Sequence, residues 1–167
     1  CNACVYARLS ADWSTDHRSI GTESTVVSTV MTPAEQAFAE FASDFRGNLL
    51  RPGVPGYDDA RMVRNGLIDR KPALIARCHG TADVVAAVDF AREQGLTISV
   101  RGGGHNVAGN AVNDDGIVID LSDMKAVRVD PKRKRAFAQG GATWGDIDRE
   151  TQLFGLATPG GLVSTTG

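Results

Sequence analysis

Three consecutive glycines and a histidine, in the run Arg101-Gly102-Gly103-Gly104-His105-Asn106, constrain this chain more than any other feature. Glycine has no side chain to bias its backbone, so such a run favours neither helix nor strand and costs ordering entropy on folding. The run follows the strand-like stretch 96–100 directly. A chain keeps a segment of this kind where main-chain amides must come close to something, and an anionic phosphate of a cofactor is the usual candidate. The adjacent imidazole of His105 adds a group able to act as nucleophile, acid or base, or covalent anchor.

The surrounding pattern places that segment in a mixed α/β context. Thr32-Pro33-Ala34-Glu35 opens a helix, with Thr as N-cap, Pro at the first helical position and Glu three residues after the cap. Phe38, Phe41 and Phe45 fall on one face, and Gly47 is expected to end the helix. Residues 51–57 hold two prolines and two glycines and read as loop, and 58–66 as a short helix. Residues 73–77 read as a buried strand. Thr81 then caps a helix whose Val84, Val88 and Ala91 line one face beside Val85, and 97–100 form a second strand. Residues 116–121, 126–129 and 135–139 read as three short strands of a meander, and Thr143 caps a last helix that stops at Gly155.

Composition excludes several classes. The 167 residues are 42% hydrophobic and 23% charged, with a net charge of −2, which leaves no electrostatic reason to expect nucleic acid or an anionic membrane. No apolar run is long enough to span a membrane. The basic stretch 131–135 stands between two strands and reads as a solvated turn. Cys1 and Cys4 have CxxC spacing, but no second pair completes a zinc site with Cys78 and His79, so no metal is expected. Free thiols in a reducing compartment are the simpler reading, and with no signal-peptide layout we expect a cytoplasmic protein. Residues 1–30 lack periodicity, and Met31 stands immediately before the first helix start, so 1–30 are expected to be a non-native or disordered leader. The closing run 158–167 is turn chemistry that leads into no further element, which gives the expectation of a chain truncated at its C-terminus.

Two nucleotide-binding signatures fail. A dinucleotide fingerprint needs a glycine at position 107, where valine stands, and a helix after it. A P-loop needs Lys-Ser/Thr where His105-Asn106 stand. What the chain does resemble is the FAD-linked oxidases of the vanillyl-alcohol oxidase superfamily, in the berberine-bridge-enzyme-like and oligosaccharide-oxidase branch. The resemblance runs from about Tyr57 to Gly167. It is carried by Tyr57-Asp58-Asp59-Ala60-Arg61, Arg70-Lys71-Pro72-Ala73-Leu74-Ile75, the whole of 101–106, and Val118-Ile119-Asp120-Leu121-Ser122-Asp123-Met124. Gln139-Gly140-Gly141-Ala142-Thr143-Trp144-Gly145-Asp146, Pro159-Gly160-Gly161 and Ser164-Thr165-Thr166-Gly167 complete it.

The resemblance implies an α+β fold, the first α/β subdomain of a PCMH-type FAD-binding domain and the beginning of the second. Together with the leader 1–30 read above, it divides the chain into an N-terminal helical segment 31–71 and the FAD-binding domain 72–167, truncated at its C-terminus. It further implies that Arg101, Gly102, Gly103, Gly104 and Asn106 cradle the FAD pyrophosphate and that His105 bonds covalently to the 8α-methyl carbon of the flavin. Gly160, Gly161, Val163, Thr165, Thr166 and Gly167 would form a second cofactor loop. Many relatives carry a cysteine there that bonds the ring a second time. Val163 stands at that position here, so one covalent link is implied, with Asp120, Ser122 and Met124 beneath the site.

The implied activity is hydride transfer from an alcohol, sugar or amine carbon of a small molecule to the flavin, and on to oxygen or another acceptor. No residue of this chain is assigned as the catalytic acid or base; Asp146 and Asp148, two apart on a helix, face different directions. Gly140-Gly141 reads as a turn and Trp144 as core, while His17 and His79 receive no role. The alternative reading is a non-catalytic fragment that acts at most as a partner-binding or oligomerising module.

Overall fold

Thr32 and Glu35 close a reciprocal cap, the Glu35 carboxylate accepting from the Thr32 amide at 2.7 Å and the Thr32 hydroxyl from the Glu35 amide at 3.3 Å. They start helix α1 (Pro33–Asp44), whose Phe41 stacks on Phe90 with ring centroids 4.4 Å apart. The computed structural model describes residues 31–167; the leader and the Cys1–Cys4 pair lie outside the described residues. After α1 come β1 (Asn48–Leu50), α2 (Tyr57–Arg61), β2 (Leu74–Arg77), α3 (Thr81–Glu93), β3 (Ile98–Arg101), β4 (Ile117–Asp120), β5 (Val127–Asp130), β6 (Arg135–Ala138) and α4 (Trp144–Gln152).

The first four strands form one mixed sheet in the order β1-β2-β4-β3, in which β2, β4 and β3 run parallel and β1 pairs antiparallel with β2. This mixed α/β arrangement agrees with the expected fold class. β4 is buried along its whole length, as its unbroken apolar run requires of a central strand covered on both faces. Alternate residues feed two cores. Leu74, Ala76, Ile117 and Ile119 pack with Ala87, Ala91 and Phe45 on one side, and Ile75 and Val118 with Tyr57, Ala60 and Val112 on the other.

Four local readings are corrected. The expected three-strand meander does not form: β4 is recruited between β2 and β3, leaving only β5 and β6 as an antiparallel hairpin. Asn48–Leu50, where no element was expected, is a strand because β2 offers it a pairing edge. The buried stripe of α3 is Asp83, Ala87 and Ala91, so Val85 and Val88, about a hundred degrees or more off it, are exposed. The short helix α2 ends at Arg61, not at Gly66. Cys78 is wholly buried just beyond β2, and its thiol is pushed up to about 12 by burial first and then by the charges of Asp83 and Asp120. Tyr57 is raised chiefly by the same desolvation, while its hydroxyl donates to the Pro72 carbonyl at 2.6 Å.

The carboxyl ends of the parallel strands lie side by side, with Arg77 and Arg101 flanking Asp120 in register. Arg77 Nε donates to the fully buried Asp120 carboxylate at 3.0 Å, and the Ser122 amide donates to its other oxygen at 3.0 Å. Ligands of parallel sheets bind at this edge.

Asp83 fixes the entry to α3. Its carboxylate accepts from the amides of His79 (2.9 Å), Gly80 (3.1 Å) and Arg46 (3.2 Å). Asp83→Ala leaves three amides without their acceptor and should lower stability by roughly 1–3 kcal/mol. The expected readout is a lower urea midpoint with an unchanged slope.

Candidate functional site

Beyond β3 the chain turns through residues 102–106 and forms one wall of a cleft of about 390 Å³. Gly102, Gly103, Gly104, His105 and Asn106 line it from one side, and Thr166 and Gly167 from the other. Val100, Ala111 and Gly140 complete the lining. No carboxylate, lysine or arginine side chain is among these residues. The polarity of the cleft therefore comes from main-chain groups, the imidazole, the Asn106 amide and the Thr166 hydroxyl.

The amides of Gly103, Gly104, His105 and Asn106 donate to no protein acceptor among the described residues. Gly104 takes φ +70°, the left-handed conformation that alternates with ordinary backbone where successive amides converge on an anion. A run of free donors in a cleft lined by no charged side chain is chemistry that fits a diphosphate. The glycines also answer to the chain itself. A Cβ on Gly103 would lie 2.6 Å from the Gly167 amide nitrogen, and one on Gly102 would lie 2.7 Å from the Gly140 carbonyl oxygen. Glycine is needed here so that two backbones can touch.

Arg101 turns the other way. Its guanidinium donates to the Ala60 carbonyl at the end of α2, and the Gly104 carbonyl accepts from the Arg64 amide at 3.2 Å. The arginine braces the loop from behind and does not line the cleft. The Asn106 side chain accepts from the Asn110 amide at 3.1 Å and closes the next turn.

The opposite wall is set by α4. Thr143 and Asp146 form a reciprocal cap, and the first two helical amides, Trp144 and Gly145, each donate at 2.8 Å to the carbonyls of Thr166 and Ser164. A helix N-terminus that would otherwise hold unsatisfied donors is thus occupied by residues 164–166. That docking sets the Thr165 hydroxyl 3.2 Å from His105 Nε2 and the Thr166 hydroxyl 3.2 Å from His105 Nδ1.

The remaining residues of the second loop lie elsewhere. Gly160 and Gly161 rest on the Trp144 indole, where a Cβ on Gly160 would approach within 2.4 Å. Val163 is exposed, and its carbonyl accepts from the Thr166 amide at 2.9 Å. Trp144 is half-buried between these glycines and a second cleft of about 370 Å³ against the β5–β6 hairpin, which holds none of the expected site residues. Gly140 was read from sequence as a turn residue, yet it borders the first cleft; its glycine doublet, so close to the α4 cap, was the available signal. Gly141 is a packing glycine, since its Cβ would strike the Leu121 carbonyl oxygen.

Comparison with known proteins agrees with the fold. The FAD binding domain family matches residues 72–167, more than half of the chain. (R)-6-hydroxynicotine oxidase of Paenarthrobacter nicotinovorans is 40% identical over 122 residues, which are 73% of this chain and 27% of that protein. The crystal structure of 6-hydroxy-D-nicotine oxidase from Arthrobacter nicotinovorans superposes with a TM-score of 0.71 at 40% identity, covering 74% of this chain and 27% of the other. Phl p 4, a grass pollen allergen with glucose dehydrogenase activity, gives 0.71 at 26% identity over 78% of this chain and 29% of its own. The chain spans about a quarter of the length of these relatives.

Two outcomes follow from the close packing. Gly103→Ala should cost about 1–3 kcal/mol and speed hydrogen exchange at the Trp144 and Gly145 amides, because backbone cannot yield to the new methyl. Gly66→Ala, in open space, is the control and should do neither. The Asp146 carboxyl is held below the usual range by its bonds from the Thr143 amide and hydroxyl. Its stabilisation is therefore complete above the ordinary carboxylate pKa of about 4 and is lost as pH falls through the lower folded value. In acid titrations followed by exchange at those same amides, Asp146→Asn should remove that part of the pH dependence.

Proposed function

This chain belongs to the FAD binding domain family, among FAD-linked oxidoreductases related to 6-hydroxynicotine oxidase and the berberine-bridge-enzyme-like proteins, and from that membership we propose that it holds FAD covalently through His105. The proposed activity is oxidation of a small molecule at an alcohol, sugar or amine carbon. The names of the relatives support that range, since one is a nicotine oxidase and another has glucose dehydrogenase activity. The observation that carries the reading is the run of four amides without an acceptor among the described residues, beside an imidazole in a cleft lined by no charged side chain.

Each part has a distinct task. The amides of residues 103–106 would receive the diphosphate, and their fixed dipoles need no reorganisation to do so. Arg101 holds their loop to α2 and is a brace in this reading, not a phosphate ligand. His105 would be the attachment point for the 8α-methyl carbon, with Thr165 and Thr166 holding its ring. Val163 carries no nucleophile, so a second bond from that position is ruled out by chemistry. When bound, the isoalloxazine accepts the hydride and passes the electrons to oxygen or another acceptor. Among the described residues no group of three or more His, Cys, Asp or Glu side chains could hold a metal ion, and no helix is long and apolar enough to cross a membrane.

Acid precipitation tests the anchor. The wild-type pellet should stay yellow, and His105→Ala should release its flavin to the supernatant. Colour lost from the wild type, or kept by His105→Ala, overturns the covalent assignment.

A further inference from the structure

Both nitrogens of the His105 ring are engaged, and by adjacent residues of one segment. Nδ1 lies 3.2 Å from Thr166 Oγ1, and Nε2 lies 3.2 Å from Thr165 Oγ1. A neutral imidazole has one N–H, so the ring donates at one contact and accepts at the other. Thr166, the partner of Nδ1, lines the cleft beside His105, and Thr165, the partner of Nε2, does not. The hydroxyls stand on a fixed backbone. The Thr166 amide donates to the Val163 carbonyl at 2.9 Å, and the Thr166 and Ser164 carbonyls accept from the first amides of α4.

We propose that Thr165 is the positioning residue for flavin attachment: its hydroxyl accepts the Nε2–H of His105 and so fixes the tautomer whose lone pair, on Nδ1, faces the cleft. This rests on the covalent anchoring through His105 proposed above. Attachment forms one bond, from Nδ1 to the 8α-methyl carbon, and breaks one methyl C–H. The ring then sheds its Nε2 proton. The two protons and the electron pair released overall are taken by dioxygen, which leaves as hydrogen peroxide. As Nδ1 gives up its lone pair the ring turns cationic and Nε2–H becomes a stronger donor, so the Thr165 bond tightens as the new bond forms. The Thr166 hydroxyl holds Nδ1 in the flavin-free protein and yields it to the methyl carbon.

The experiment uses protein made in a riboflavin-starved host, mixed with FAD in air and precipitated with acid at intervals. Thr165→Val should slow acid-stable flavin incorporation by about ten- to a hundredfold, the loss of one hydrogen bond to a ring that becomes charged. Thr165→Ser should restore the rate. Nitrogen-15 NMR of His105 in the flavin-free protein should show the Nε2–H tautomer in the wild type and a mixture in Thr165→Val. Equal rates for wild type and Thr165→Val, an Nδ1–H tautomer in the wild type, or a flavin bond found on Nε2 each overturn the assignment. Failure of the anchoring reading is recognised separately, by wild-type protein that binds FAD yet releases all of it in acid, and it removes this assignment as well.

Discussion

Backbone meets backbone where Gly103 lies against Gly167, and the candidate site depends on that contact. Neither residue can carry a side chain there, because a Cβ on either would sit about 2.5–2.6 Å from the other's amide nitrogen. The contact closes the cleft, aligns the free amides of the glycine loop with the far wall and brings two threonine hydroxyls to one imidazole. It holds because each wall is fixed from behind. Arg101 and Arg64 tie the glycine loop to the α2 region, and the first turn of α4 grips residues 164–166 by its free amides.

The sheet supplies the platform and takes no direct part in the chemistry. β4 is sealed in apolar contacts and ends in an Asp120–Arg77 pair beside the start of the glycine loop. A buried carboxylate needs that partner, and Asp120 also accepts from the Ser122 amide. The motif around Asp120 is therefore accounted for by strand termination under the site. The usual use of a helix N-terminus as an anion trap is closed at α4, since its leading donors serve the protein's own carbonyls. The donors left for the proposed diphosphate are the loop amides.

Much of this could be read in the residues, and what could not has a common cause. Caps are local, so Thr32 with Glu35 and Thr143 with Asp146 announced their helices. The glycine run and its histidine announced the loop in the same way. Pairing is not local. The three residues of β1 have no pattern of their own and become a strand only against β2, and β4 reads like any apolar strand until it lies between β2 and β3. On α3 the valines looked like the buried face, but the close approach is made by Ala87 and Ala91, whose small size carries little hydrophobic signal. The motif resemblance assigned Thr165 and Thr166 to a cofactor loop. That their hydroxyls clasp His105 could not be seen, because sixty residues separate the partners.

That separation has a bearing on synthesis. A ribosome releases His105 long before Thr165, with the β5–β6 hairpin and all of α4 still to be made. Through that interval the imidazole has no hydroxyl partners and the cleft has one wall. Under the proposed anchoring a nascent chain would be a poor target for a reactive cofactor, and loading would wait until the later segment has been translated and docked. The order of assembly is written into the distance along the chain between a ring and the groups that aim it.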